Sequence, residues 1–243
     1  MIKKSSGFTL GEILIALSVI GVVAALTIPQ LIQGQKAGQA RAQFNTAYAI
    51  LAKSLAEMDA DNISVDPASY RTSQSLYNAL KNYHKVVIDC GDYSNANKNT
   101  SVCIGQGAAN TNDSLDNYYI FNKSSNTKIH MNRLDDGAFV INNGMMFAFE
   151  NPENGYLWVS IDINGKNNLP NRWGWDLFTF ELTKNGFLPL GAPGTTAAYS
   201  DTAGDMDDDQ HCSTTATGNE NGSTCSYYAT TDQDYFKKIY KGY

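Results

Sequence analysis

The sequence is short of several things at once. Basic side chains number 18 against 24 acidic ones in 243 residues, and charged residues of all kinds make up only 17%. A chain with net charge −6 lacks the basic field that holds nucleic acid, so no nucleic acid is expected through the bulk surface. Only four cysteines occur, Cys90, Cys103, Cys212 and Cys225, and no two stand at the C-x2–4-C spacing that zinc requires. The three histidines, His84, His130 and His211, stand beside no recognisable nucleophile or ligand motif. Each reads as a surface or packing residue, and no catalytic group is named. Lys and Glu are sparse while Tyr, Asn, Ser, Thr and Gly are abundant, which suits an exported β-containing domain better than a cytosolic helical one.

Charge is scarcest near the N-terminus. Phe8 to Ile28 is a run of 21 residues with one ionisable side chain, Glu12. At about 1.5 Å per residue it spans roughly 30 Å, the thickness of a bilayer's hydrocarbon core. A secretory signal peptide shares the preceding Lys3 and Lys4 but ends in small residues, whereas this run ends in Pro29-Gln30. A transmembrane segment is therefore expected over 8–28, with the short N-terminus cytoplasmic and the remainder outside. A carboxylate in hydrocarbon costs several kcal/mol, so Glu12 calls for a partner. Were the chain cut between Gly7 and Phe8, Glu12 would become the fifth residue of a chain that starts with a positive amine. The acid of one subunit could then neutralise the amine of a staggered neighbour.

Gly7-Phe8-Thr9-Leu10-Gly11-Glu12 followed by an apolar helix resembles the prepilin signature of type IV pilins and of type II secretion pseudopilins. The resemblance implies a leader peptide over 1–7, cleavage after Gly7 by a prepilin peptidase, N-methylation of Phe8 and an assembly role for Glu12. Pro29 falls where many members have a helix-kinking proline, while Gly11 departs from the larger or hydroxyl residue common before the acid. The implied product is a structural subunit rather than an enzyme, in a homo- or hetero-oligomeric filament of pilin-like subunits. It would be drawn from the lipid bilayer by an inner-membrane assembly platform, its globular domain periplasmic or extracellular. The filament would be a type IV pilus or a secretion pseudopilus. A minor pilin that primes assembly or carries adhesion or DNA uptake is the alternative within the family. A membrane-anchored exported domain that never polymerises is the alternative outside it. Loss of Lys3 and Lys4 would leave 16 basic against 24 acidic side chains, a net charge of −8.

Beyond the anchor, Ala37, Ala40, Phe44, Ala47, Tyr48, Leu51, Leu55 and Met58 recur at steps of three and four, one apolar stripe on a continuing amphipathic helix over 29–60. Packing against the chain's own domain is the ordinary role of such a stripe. Pro29 removes a backbone hydrogen bond and is expected to kink the helix. The exported domain, 61–243, begins with a second helical pattern from about Arg71 to His84. Runs Ala138–Ile141 and Met145–Phe149 flank Asn142-Asn143-Gly144, a strong hairpin signal. With Tyr156–Ile163 and Asp176–Leu182 they predict an antiparallel sheet of about four strands laid on the long helix. The fold class is α+β, which pilin resemblance also implies.

The equal spacing of 13 suggests the pairs Cys90–Cys103 and Cys212–Cys225, although three pairings are possible. Residues 190–231, poor in large apolar groups, read as a loop-rich excursion, and their run Asp205–Asp209 as a solvated acidic loop or, less readily, a calcium ligand set. Asp162 and Asn164 open a sequence like the front of an EF-hand loop but lack its closing acid. No other cofactor is indicated, and of the two calcium candidates Asp162 and Asn164 are kept as the metal site. Asp176 is expected to cap backbone amides after Pro170, with Trp173 and Trp175 over the sheet edge. A short amphipathic helix, Asp232 to Tyr240, closes the chain.

Overall fold

The computed structural model describes residues 7–92, 102–104, 114–153, 155–196 and 211–241. One helix organises them. α1 (Leu10–Ala60) runs unbroken for 51 residues, with Pro29 inside it. Its second half buries Ala37, Ala40, Phe44, Ala47, Leu51 and Met58, the predicted stripe, while Tyr48 and Leu55 pack at its margin. A 3-10 turn (Pro67–Tyr70) and α2 (Ser75–Lys81) follow. α2 is shorter than the apolar pattern suggests, because Gln74 takes a left-handed conformation and starts the helix late.

The main sheet has six antiparallel strands rather than four. β1 (Val86–Gly91), β4 (Ala138–Ile141), β5 (Met146–Glu150), β6 (Trp158–Asp162), β7 (Leu177–Thr183) and β8 (Gly186–Pro189) lie in the order β1-β4-β5-β6-β7-β8. The central four were expected. The two edges break the alternating pattern: β1 carries two register shifts and β8 is four residues ending in Pro189, a residue tolerated on an edge because it lacks a ladder donor. The β4–β5 hairpin turns through Asn143 and Gly144, whose φ of +89° only glycine adopts at no cost.

A small second sheet pairs β2 (Ser114–Tyr119) with β3 (Lys128–His130). It covers the face of the main sheet turned away from α1, so both faces are buried. On the helix side Phe139, Phe147, Phe149, Phe178, Phe180 and Phe187 meet Phe44 and Leu51. On the other side Tyr118, Ile129 and Trp173 meet Val140, Met146 and Ala148. Trp173 is thus a core residue rather than a cover for the sheet edge.

The 190–231 excursion needs correcting in its second half. Cys212, Asn221, Cys225 and Ser226 are buried, and α3 (Cys225–Thr231) packs on β7 through Ser226, whose hydroxyl accepts the Thr179 N–H at 2.8 Å. Polar side chains rather than apolar ones hold this segment: Asn221 caps Ser213 and bonds back to the Ser213 and Ala216 carbonyls. Composition therefore understated its order. Asp205–Asp209 lies outside the described residues. α4 (Tyr235–Lys241) returns the C-terminus to the long helix, where Phe236 meets Phe44 at 5.8 Å between ring centroids. Arg41 donates to the Asp232 and Gln233 carbonyls, both at 2.8 Å, and stacks over Phe236. Both disulfides join the pairs that the spacing favours, Cys90–Cys103 and Cys212–Cys225, with Cα separations of 5.6 and 5.1 Å.

Phe44 touches Phe178, Phe180 and Phe236 and so joins helix, sheet and C-terminus. Phe44→Ala is expected to cost about 3–5 kcal/mol in denaturant unfolding of the detergent-solubilised chain. The same substitution at exposed Phe8 leaves the unfolding midpoint unchanged.

Candidate functional site

The residues that carry the N-terminal motif stand at the free end of α1. Gly7 and Phe8 precede the helix outside any regular element, and Phe8 is 84% exposed. Thr9 is the N-cap: its hydroxyl accepts the Glu12 N–H at 3.2 Å, and the Glu12 carboxylate accepts the Thr9 N–H at 2.8 Å and the Thr9 hydroxyl at 2.9 Å. This reciprocal capping box satisfies donors that the first helical turn otherwise leaves open. Thr9-x-x-Glu12 is a readable signature of it, and it is the residue role that the sequence reading passed over. It gives the acid a local reason to exist in an uncut chain.

From Ile13 to Ile32 the apolar side chains point outward on every side of the helix, Ile13, Leu17, Ile20, Val23, Leu26 and Ile28 among them. Head residues come beside this run only at its last residue, Ile32, which borders a groove with Lys123, Leu169, Trp175 and Tyr240. By length and composition this is a helix able to cross a membrane. Ser18 and Thr27 return their hydroxyls to the carbonyls of Leu14 and Val23, so neither presents an unpaired donor to lipid. Pro29 lacks the N–H that would reach the Ala25 carbonyl.

Asp162 and Asn164 lie far from this end, at the close of β6. Asp162 is fully buried and its carboxylate accepts the Tyr118 hydroxyl at 2.5 Å and the Asn164 and Gly165 N–H groups at 3.1 and 2.7 Å. Three of its four lone-pair positions are therefore taken by donors. Asn164 turns its amide N–H to Asp176 at 3.3 Å, and Asp176 accepts the Asn171 and Arg172 N–H groups at 2.7 and 2.6 Å, the capping role expected of it. Burial pushes both carboxyls upward, Asp176 further because Asp162 stands near. The arrangement staples the β6–β7 connection. Among the described residues no three His, Cys, Asp or Glu side chains converge as a metal site.

A second buried acidic group was missed entirely. Glu150, at the end of β5, stands beside Asp135 and Asp136, and one of its oxygens is buried without a partner. Burial and these two carboxylates push Glu150 up to about 9, and burial with Asp136 pushes Asp135 up to about 6. Arg133 crosses the group to meet Glu220 and Tyr156. Asp136 is itself bound, by Ser73 and the Asn151 N–H. Asp135-Asp136 was visible as an acidic pair, but nothing local signals that β5 brings a third acid to it. His84 is held near 4 by burial between Phe139 and Phe147, and His211 faces Glu220 at 3.7 Å. His84 Nε2 lies 3.3 Å from the Ser54 hydroxyl, which is buried in α1 and donates to the Ile50 carbonyl at 2.9 Å, a packing contact under the sheet.

Comparison with protein-family models, with curated proteins and with solved structures finds no match.

Glu150 has a testable signature. Its folded value lies above its ordinary 4.5, so its contribution to stability is full below about pH 4.5 and is lost as pH rises toward about 9. Thermal melts of the chain are expected to fall in midpoint from about pH 5 to about pH 9, and Glu150→Gln to flatten that slope.

Proposed function

We propose that this chain is a pilin-like subunit, a precursor cut between Gly7 and Phe8 and built through α1 into a type IV pilus or a type II secretion pseudopilus. The single observation that carries the reading is the division of α1. One half is packed under its own head, and the other exposes apolar side chains all round, with a lone carboxylate at the far tip beside a Gly-Phe step. A plain anchor needs the apolar half but not the carboxylate. An assembly helix needs both: apolar surface to be covered by other anchors, and a charge to fix their register against a new amine.

The α+β head supports this reading in a second way. A six-stranded sheet covered on both faces gives a compact, disulfide-closed body on one side of a helix whose free half projects from it. Such a body can be repeated along an axis with the anchors inside and the heads outside. Nothing in the buried polar groups calls for a substrate, and the subunit is read as structural.

Two measurements test it. Mass spectrometry of the membrane-extracted chain is expected to find Phe8 as its first residue carrying one added methyl group, and a bulky residue at Gly7 to leave the leader attached. An unprocessed wild-type N-terminus in cells that contain the peptidase would sink the reading. The second measurement separates the two roles of Glu12. Glu12→Gln retains an acceptor for the capping box but not the charge, whereas Thr9→Ala weakens the cap by about 1 kcal/mol and retains the charge. Filament yield is expected to collapse with Glu12→Gln and to survive Thr9→Ala; the reverse order would assign Glu12 to capping alone.

A further inference from the structure

The exposed apolar surface of α1 ends at Ile32, and the first helical residue covered by the head is Ala37. Five residues of helix rise only about 8 Å. The polar layer on one side of a bilayer is about 5–7 Å thick. With the helix seated in hydrocarbon through Ile32, one turn beyond the 8–28 segment that the sequence indicates, the underside of the head lies against the lipid headgroups.

That underside has a distinctive chemistry. Two grooves flank α1 at this level. One, of about 610 Å³, is bordered by Gln33, Lys36, Lys123, Leu169, Trp175 and Tyr240. The other, of about 620 Å³, is bordered by Gly34, Gly38, Arg41, Gln233, Lys237 and Lys241. No Asp or Glu lines either groove, in a chain whose acids outnumber its bases. Lys36, Arg41, Lys123 and Lys241 enter none of the salt bridges found among the described residues. Arg41 is fixed by carbonyls, with the Asp234 carboxylate within electrostatic reach, and Lys123 stands over the Trp175 ring at 5.4 Å, so both charges are held in position. The acids nearest the second groove are Asp232 and Asp234, which pair with Lys238 and Lys237 at 2.6 and 2.8 Å. Of the carboxylates of α1, Glu12 lies at the opposite tip of the apolar half, and Glu57 and Asp59 sit roughly 30 Å higher on the helix. Leu169, 80% exposed, projects from the rim of the first groove.

We propose that this underside is a docking surface for the anionic headgroups of the leaflet from which α1 emerges. Lys36, Arg41, Lys123 and Lys241 meet lipid phosphates, Leu169 enters the headgroup layer, and the head is held at a fixed angle on the bilayer until the subunit is extracted. The proposal rests on reading the first half of α1 as membrane-spanning. Exposed basic side chains beside a bilayer gain from anionic lipid in proportion to their number and lose that gain in salt.

The test uses the full chain reconstituted into phosphatidylcholine vesicles, with and without phosphatidylglycerol, and treated with a water-soluble amine-acylating reagent under single-hit conditions. Mass spectrometry gives the rates at Lys36, Lys123 and Lys241 relative to Lys53 and Lys184. The latter lies in the β7–β8 turn, beside the upper part of α1, where neighbouring Gly186 approaches Leu55. The expected result is a roughly fivefold fall in the relative rates when anionic lipid is present, reversed by about 0.5 M salt. In the variant Lys36→Glu with Lys241→Glu, the protection of Lys123 is expected to disappear while the chain still floats with vesicles. Equal rates in the two vesicle types, with the chain afloat, overturn the proposal alone. Protection that follows protein density in phosphatidylcholine alone also overturns it, in favour of contact between copies. A chain that fails to float removes the anchor reading, and this proposal falls with it.

Discussion

One helix has to satisfy two solvents. Residues 37–58 of α1 place a narrow apolar stripe against the sheet, and residues 13–32 place apolar side chains on every side with no partner in the chain. A contiguous apolar surface of that extent is not tolerated in water, where patches beyond a few hundred Å² belong to interfaces or membranes. Because the backbone is continuous through Pro29, the uncovered half cannot be hidden by folding back onto the head. Its environment must come from outside, and the head must follow wherever that environment places it. Phe44, clasped by Phe178, Phe180 and Phe236, and Arg41, holding the Asp232 and Gln233 carbonyls, make the joint stiff just above the point where the apolar half begins.

What could be read in advance follows from how locally each feature is encoded. The stripe Ala37 to Met58 and the hairpin around Asn143-Gly144 depend on residues a few places apart, and both stand where periodicity and turn chemistry put them. β6 and β7 alternate because Val159, Ile161, Phe178 and Phe180 meet the apolar core under α1 while Ser160, Asp162, Thr179 and Glu181 on the other face are buried on hydrogen bonds. β1 and β8 escaped because an edge strand is held mainly by one neighbour and can tolerate a bulge or a proline. The order in 211–231 was hidden for a different reason. Its burial rests on Asn221, Ser213, Ser226 and a disulfide, and polar residues that are satisfied inside a fold look like loop residues in a sequence. Likewise Asp162 has the spacing of a cation ligand and the surroundings of a staple, a distinction made by Tyr118, 44 residues away. The Glu150 group needed β5 to close on Asp135 and Asp136, which no local pattern announces.

Glu12 shows how a local and a collective role can share one side chain. In the chain as it stands the carboxylate is occupied by Thr9, so the charge has hydrogen-bond partners without any neighbour. In the proposed mature subunit the amine at Phe8 stands one residue before Thr9, whose backbone N–H the Glu12 carboxylate already accepts at 2.8 Å, so the amine is close to that carboxylate. Each subunit could therefore neutralise its own charges, and an exchange of partners between subunits replaces one ion pair by another of the same kind. The net electrostatic gain of assembly is then small. The free energy has to come from covering the bare half of α1 as it leaves lipid, where roughly 25 cal/mol for each Å² of apolar surface withheld from water is at stake. Covering apolar surface is non-directional and tolerates sliding along the helix axis. A lone charge at the tip does not. A subunit displaced by one turn would leave a carboxylate and an amine apart in a low-dielectric core, a cost of several kcal/mol that apolar contact cannot offset. The apolar half of α1 thus supplies the affinity of the proposed assembly, and Glu12 supplies its register.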